Sequence, residues 1–248
     1  KAFITYTTVG LPDMETTKKI MFAQQEAGID VMELGIPFSD PVADGPVIQA
    51  ASYEAIQKGA TLTKIFTLMK EVRKEGLTTP VVFMMYYNTV YHYGLEEFVE
   101  MCADCGVDGL IIPDLPYEEQ KEINAVLAEN EAAPILIQLV SPVSKQRIPM
   151  IVNNARGFVY CVSQMGVTGN GANFHKQIRE YLLEVKKNSP VPVMMGFGIR
   201  TAGDVEPLED IIDGAIVGSH FITLMKENNY DENVIKEYIS SFKKEMNE

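Results

Sequence analysis

Ala27-Gly-Ile-Asp-Val-Met-Glu-Leu-Gly35 closes one element and opens the next, and the architecture follows from how often that step recurs. Upstream, Thr16–Ala27 carries Ile20, Met21 and Ala23 at helical spacing, and Gly28 is a natural helix stop. Downstream, Val31–Gly35 is a short apolar run of the kind that forms a buried strand. The same layout returns in Cys105-Gly-Val-Asp-Gly-Leu-Ile-Ile-Pro-Asp114, which leaves the amphipathic stretch Leu95–Cys105 through Gly, an apolar residue and Asp. A weak internal repeat of this kind is expected of repeated βα units.

Outward from these two points the chain alternates in the same way. Strands are expected at Ala2–Thr8, Val31–Gly35, Val81–Tyr86, Gly109–Pro113, Ile135–Val140, Phe158–Ser163, Val191–Gly196 and Gly214–Gly218. Helical spacing marks Thr16–Ala27, Leu62–Lys74, Leu95–Cys105, Tyr117–Asn130, Ser144–Ala155, Phe174–Lys187, the short Ala202–Leu208 and Glu232–Met246. Strands alternating with helices imply a parallel sheet, and eight units in about 250 residues match a closed (β/α)8 TIM barrel forming one domain over residues 1–248. A doubly wound open sheet is the alternative. It fits less well because the glycine-rich signals lie late in the chain rather than after the first strand. The long loops, Pro37–Val47 and Gln164–Asn173, both follow strand C-terminal ends, the face where barrel active sites form.

Composition excludes several classes of partner. A formal net charge of −13 argues against nucleic acid and anionic membrane, while leaving room for a phosphorylated small molecule at a locally positive site. No apolar run reaches the roughly 18 residues of a membrane span, and no signal-peptide pattern opens the chain. Three cysteines suggest a reducing cytoplasm. Cys102 and Cys105 read more simply as two positions of an amphipathic helix than as a redox or zinc motif, since no second pair completes a metal site.

Glu33 sits inside the second strand with apolar neighbours, facing either the barrel or the helix layer. Burial raises a carboxyl's proton affinity and suits acid–base work near neutral pH; a hydrogen-bonded structural Glu is the plain alternative. Asp40 and Asp44 lie among Pro37, Pro41, Gly45 and Pro46, where turn formation is the default, but this stiff loop overhangs the expected catalytic face. Glycine-rich motifs end three consecutive strands: Gly166–Gly171, Gly196–Ile199 and Gly218–Ser219. Together they suggest a phosphate held mainly by backbone N–H groups and the Ser219 hydroxyl, with Arg200 adjacent. His92 and His175 read as surface residues, and His220 lies near the phosphate end without an assigned role; no metal-ligand spacing links them. Met84, Met85, Met194 and Met195 read as barrel filling.

The segment from Glu33-Leu-Gly-Ile-Pro-Phe-Ser-Asp-Pro through Asp44-Gly-Pro to Gln49 resembles the signature of the tryptophan synthase α-subunit family. Agreement continues in order through Phe3–Asp13, Met84–Asn88, Ile111–Glu119, Gly166–Gly169, Gly196–Ile199 and Val217–Ser219, and so covers nearly the whole chain. The resemblance implies cleavage of indole-3-glycerol phosphate to indole and glyceraldehyde 3-phosphate. It makes Glu33 the general acid–base and Asp44 the second catalytic carboxylate. Tyr160, Tyr6, Met84, Ile48 and Thr168 become substrate contacts, and Gly169, Gly198, Gly218 and Ser219 hold the phosphate. It also implies a cytoplasmic α2β2 heterotetramer in which indole passes to the β subunit. No metal or organic cofactor is expected here, since pyridoxal phosphate belongs to β.

Departures from the family are visible too. The chain starts at Lys1 without Met and enters the first strand almost at once, so the usual N-terminal capping helix is expected to be absent. Tyr6-Thr7 stands where many members have Phe and an apolar residue, which makes the pocket more polar. The alternatives are a catalytically weak barrel acting as an allosteric partner of β, and a standalone lyase that releases indole. A metal-dependent epimerase barrel would need metal-binding histidines on its strands, and this chain lacks them.

Overall fold

In the computed structural model the short apolar runs lie side by side and all in parallel. The structure describes residues 1–162, 172–196 and 198–248, apart from the side chains of 172–176. The strands are β1 (Ala2–Thr8), β2 (Val31–Gly35), β3 (Val81–Met84), β4 (Gly109–Ile111), β5 (Ile135–Leu136), β6 (Gln138–Val140), β7 (Val159–Val162), β8 (Val193–Gly196) and β9 (Gly214–Val217). Their order is β5-β4-β3-β2-β1-β9-β8-β7-β6. The two ends of that order flank a single residue, Ile137, whose N–H donates to the Leu110 carbonyl at 2.8 Å. β5 and β6 are therefore two halves of one fifth strand. The first half pairs with β4 and the second with β7, and the sheet closes into an eight-stranded barrel.

The helices are α1 (Met14–Glu26), α2 (Pro46–Gln57), α3 (Leu62–Lys74), α4 (Tyr87–Tyr93), α5 (Leu95–Asp104), α6 (Lys121–Ala128), α7 (Ile148–Val152), α8 (Ala172–Asn188), α9 (Ser219–Glu227) and α10 (Glu232–Asn247). Several differ from the sequence expectation. α2 was not anticipated, and it begins inside the expected loop Pro37–Val47: Gly45 is its N-cap and Pro46 its first turn, a position where the missing N–H costs nothing. The Tyr-rich segment Asn88–Tyr93 is helical, as α4. The expected helix Tyr117–Asn130 divides into a 3-10 turn at Tyr117–Glu119 and α6. Ser144–Ala155 shortens to α7 after a 3-10 turn at Pro142–Ser144, and Ala202–Leu208 is two 3-10 turns, Ala202–Asp204 and Glu206–Leu208. The apolar segment after Ser219 is α9.

Strand alternation sorts side chains into two buried sets. Ile4, Val82, Ile111, Ile137, Phe158, Tyr160, Met194 and Ile216 fill the barrel lumen. The other face packs against the helices, as where Phe3 stacks on Phe242 of α10 with ring centroids 4.1 Å apart.

The Gly–apolar–Asp step has a structural purpose. Asp30 Oδ2 accepts the Phe3 N–H at 2.7 Å and Oδ1 accepts from Lys243 Nζ at 3.0 Å. Asp108 Oδ2 accepts the Val81 N–H at 2.8 Å and Arg73 Nη2 at 2.7 Å. Asp213, which precedes β9 after Ile211-Ile212 rather than after a Gly–apolar pair, does the same: it accepts the Val193 N–H and Lys186 Nζ, both at 2.7 Å. Each Asp precedes one strand and ties down the N-terminal end of its neighbour, and a cation from the helix layer balances its charge.

Candidate active site

At the opposite, C-terminal end of the strands the lumen opens into a cavity of about 290 Å³. Glu33, in the middle of β2 and in register with Tyr6 of β1, faces into it and is 2% exposed. Burial, reinforced by the charge of Asp44, pushes the Glu33 carboxyl up to about 8. Its Oε2 has no hydrogen-bond partner among the described residues. A protonated, buried carboxyl with a free oxygen can donate a proton to a ligand and accept one back.

Asp44 reaches the same cavity from the last residues before α2. Burial raises its proton affinity, and a hydrogen bond from the Tyr86 hydroxyl works in the opposite direction. Tyr86 also accepts the Ala43 N–H at 3.0 Å and stacks on Phe38 at 5.2 Å, so one side chain holds both the loop and its carboxylate. No role was assigned to Tyr86 from the sequence; its place in the matching Met84–Asn88 segment was the available signal.

Tyr6, Met84, Ile48 and Tyr160 line the same cavity as the two carboxylates. Both tyrosines depend on glycines of adjacent strands. A Cβ on Gly35 would lie 1.9 Å from the Tyr6 hydroxyl, and one on Gly196 would lie 2.5 Å from Tyr160 Cε1. Each ring therefore lies across its neighbouring strand.

Gly198, Gly218 and Ser219 line the same cavity with Arg200 and His220. Gly198 has φ +79°, a backbone region that favours glycine, and nothing lies within 4 Å of a Cβ placed there. Ser219 opens α9, whose first N–H groups have no intrahelical partner and suit an anion. Thr168 and Gly169, and the loop that carries them, lie outside the described residues. His92 is exposed on α4, away from the cavity.

A second hollow of about 320 Å³ shares Glu33, Met84 and Tyr160 with the first and runs on past Pro113 and Ser141. A cavity of about 570 Å³ beside α6 contains neither Glu33 nor Asp44, so size alone does not locate the chemistry. Among the described residues no three His, Cys, Asp or Glu side chains gather as a metal site, and no helix is long and apolar enough to cross a membrane.

A closed parallel barrel with a buried carboxyl of raised proton affinity facing the cavity at the C-terminal end of its strands defines the class, a TIM-barrel enzyme. A family profile described as tryptophan synthase alpha chain matches residues 1–248. The tryptophan synthase alpha chain of Lachnospira eligens is 74% identical over 247 residues, covering 100% of this chain and 94% of that one. Among solved structures, the tryptophan synthase alpha chain of Legionella pneumophila str. Paris superposes with TM-score 0.88 at 31% identity, covering 100% of this chain and 93% of that one. A chain of the tryptophan synthase complex from Pyrococcus furiosus superposes with TM-score 0.86 at 30% identity, covering 98% of each. The chain belongs to the tryptophan synthase alpha chain family, whose activity is of the lyase type and serves tryptophan biosynthesis.

Proposed function

We propose that this chain, working as one domain, cleaves indole-3-glycerol phosphate by a retro-aldol reaction. The carrying observation is Glu33: buried, held protonated near neutral pH, and with an oxygen that no described residue occupies. Indole is a poor carbanion leaving group, so ring carbon C3 must be protonated first. Glu33 delivers that proton and Asp44 accepts a hydrogen bond from the ring N–H, stabilising the positive charge that develops on nitrogen. Glu33, now a carboxylate, takes the proton of the glycerol hydroxyl. The C–C bond breaks, its electrons restore the aromatic ring, and the carbonyl of glyceraldehyde 3-phosphate forms. Tyr6, Met84, Ile48, Tyr160 and Thr168 enclose the indole, while Gly169, Gly198, Gly218 and Ser219 receive the phosphate. The balance of protons closes with these two carboxylates, so the reaction proceeds without metal or organic cofactor.

In this reading the chain acts in the cytoplasm as the α subunit of an α2β2 assembly and passes indole to a β subunit carrying pyridoxal phosphate. Support comes from the Pyrococcus relative, solved as a tryptophan synthase complex, and from Val42, Tyr91 and Val143. These stand 82%, 71% and 77% exposed on segments that follow strand C-terminal ends.

The test is indole release from indole-3-glycerol phosphate by wild type and Glu33→Gln, with and without a tryptophan synthase β subunit. Release that β stimulates and that Glu33→Gln lowers by about 100- to 10,000-fold is the expected result. Wild-type protein that releases no indole under either condition would sink the lyase assignment and leave an allosteric partner. Release indifferent to β would make it a standalone lyase.

A further inference from the structure

The geometry points to Arg200 as the side chain that selects for a phosphate in this cavity, beyond what glycine backbone and Ser219 supply. The inference rests on the reading of this cavity as a phosphate-ester site.

Three observations carry it. First, Arg200 is the one Lys or Arg among the described residues lining this cavity, and it shares the wall with Gly198, Gly218 and Ser219. The same cavity holds Glu33 and Asp44, and the whole chain carries a net charge of −13. A dianion entering such a molecule meets repulsion from both, and a local cation is the direct remedy.

Second, the guanidinium has no ion-pair partner among the described residues. Arg73, Arg147 and Arg179 are tied to Asp108, Glu118 and Asp210. Arg200 makes no ion pair among the described residues, although Asp204 is close enough to feel its charge. One oxygen of Asp204 is already engaged: Oδ2 accepts the Thr201 N–H in a capping box and also the Arg200 N–H, both at 2.9 Å. The backbone of Arg200 is fixed in turn, since its carbonyl accepts from the Tyr238 hydroxyl at 2.9 Å. The residue is thus anchored by its main chain while its charged end is left for a ligand.

Third, that charge reaches the cavity wall. His220, the second residue of α9, is held below the usual histidine range by burial and by the Arg200 charge. A guanidinium that acts on His220 also acts on an anion seated at the N–H groups beside it. Arg is suited to this place because its planar fork can meet two phosphate oxygens at once.

The experiment uses the full chain and two probes, inorganic phosphate and indole, titrated calorimetrically into wild type, Arg200→Gln and Arg200→Lys. Arg200→Gln is expected to weaken phosphate by about ten-fold or more, the usual scale for losing a charge-assisted contact. Arg200→Lys is expected to recover part of it, and indole, which has no phosphate, to bind as in wild type. The slope of phosphate affinity against salt should also become shallower in Arg200→Gln. Phosphate binding by Arg200→Gln within about two-fold of wild type would overturn the inference, and so would an equal loss of indole and phosphate. Indole-3-glycerol phosphate turnover by wild type is measured alongside. No turnover with Arg200-dependent phosphate binding removes the lyase reading and keeps this one, whereas turnover with Arg200-independent binding does the reverse.

Discussion

At Glu33 the burial that the proposed proton transfer calls for works against the stability of the fold. Its carboxyl carries a proton up to about pH 8 in the folded chain, against an ordinary value of 4.5. Between those two values the folded state holds a proton that the unfolded state has released. The contribution of Glu33 to stability is therefore fully present below about pH 4.5, declines as pH rises to about 8, and is level above. A glutamine at this position has no proton to hold. Glu33→Gln is thus expected to gain stability relative to wild type steadily from pH 5 to about pH 8, by an amount on the order of a few kcal/mol. Urea unfolding of both proteins across that range is the check; parallel pH profiles would show that Glu33 is not buried as described. The residue was legible in the sequence as a carboxyl within an apolar strand. Which way it faced was not, because a carboxyl within a strand buried on both faces reads the same from either side.

At the scale of elements, the βα step is held by its aspartates. Asp108→Ala removes the acceptor for the Val81 N–H and the partner of Arg73. With the Asp108 side chain about half exposed, the expected loss is about 1–2 kcal/mol, at the low end for hydrogen bonds to charged groups. Asp108 lies at the N-terminal end of its strand, away from the cavity, so kcat/KM for indole-3-glycerol phosphate should stay at the wild-type value. A drop in activity without a drop in stability would contradict the division between the two barrel ends. α2 and α4 escaped the sequence reading for different reasons. In α2, Ile48, Ala51, Ser52 and Ala55 do follow a helical stripe, but Gly45 and Pro46 at its start look like loop residues. In α4 only Val90 is buried, so seven residues carry no periodicity to detect.

For the molecule as a whole, net charge is the dominant electrostatic fact. At −13 the folded chain repels itself, and its ion pairs, such as Lys58–Glu54 and Arg179–Asp210, are substantially exposed and screened by solvent, so they add little. Screening should therefore relieve more repulsion than it removes attraction. Raising sodium chloride from about 0.01 M to about 0.5 M is expected to raise the thermal midpoint by several degrees, read by scanning calorimetry. A fall would mean that the ion pairs outweigh the net charge.

The sequence by itself determined what is local: the alternation of elements, most strand cores, the Gly–apolar–Asp step, and the carboxylates and glycines at strand C-terminal ends. Those features are written in spacing along the chain, where period and punctuation are enough. Only the tertiary structure decided that the sheet closes through Ile137, that Glu33 faces the lumen, that Tyr6 and Tyr160 lie across Gly35 and Gly196, that Tyr86 holds Asp44 and that Arg200 reaches the cavity. Each of these is a meeting of residues distant in sequence, fixed by strand register and barrel curvature, for which no local pattern exists to read.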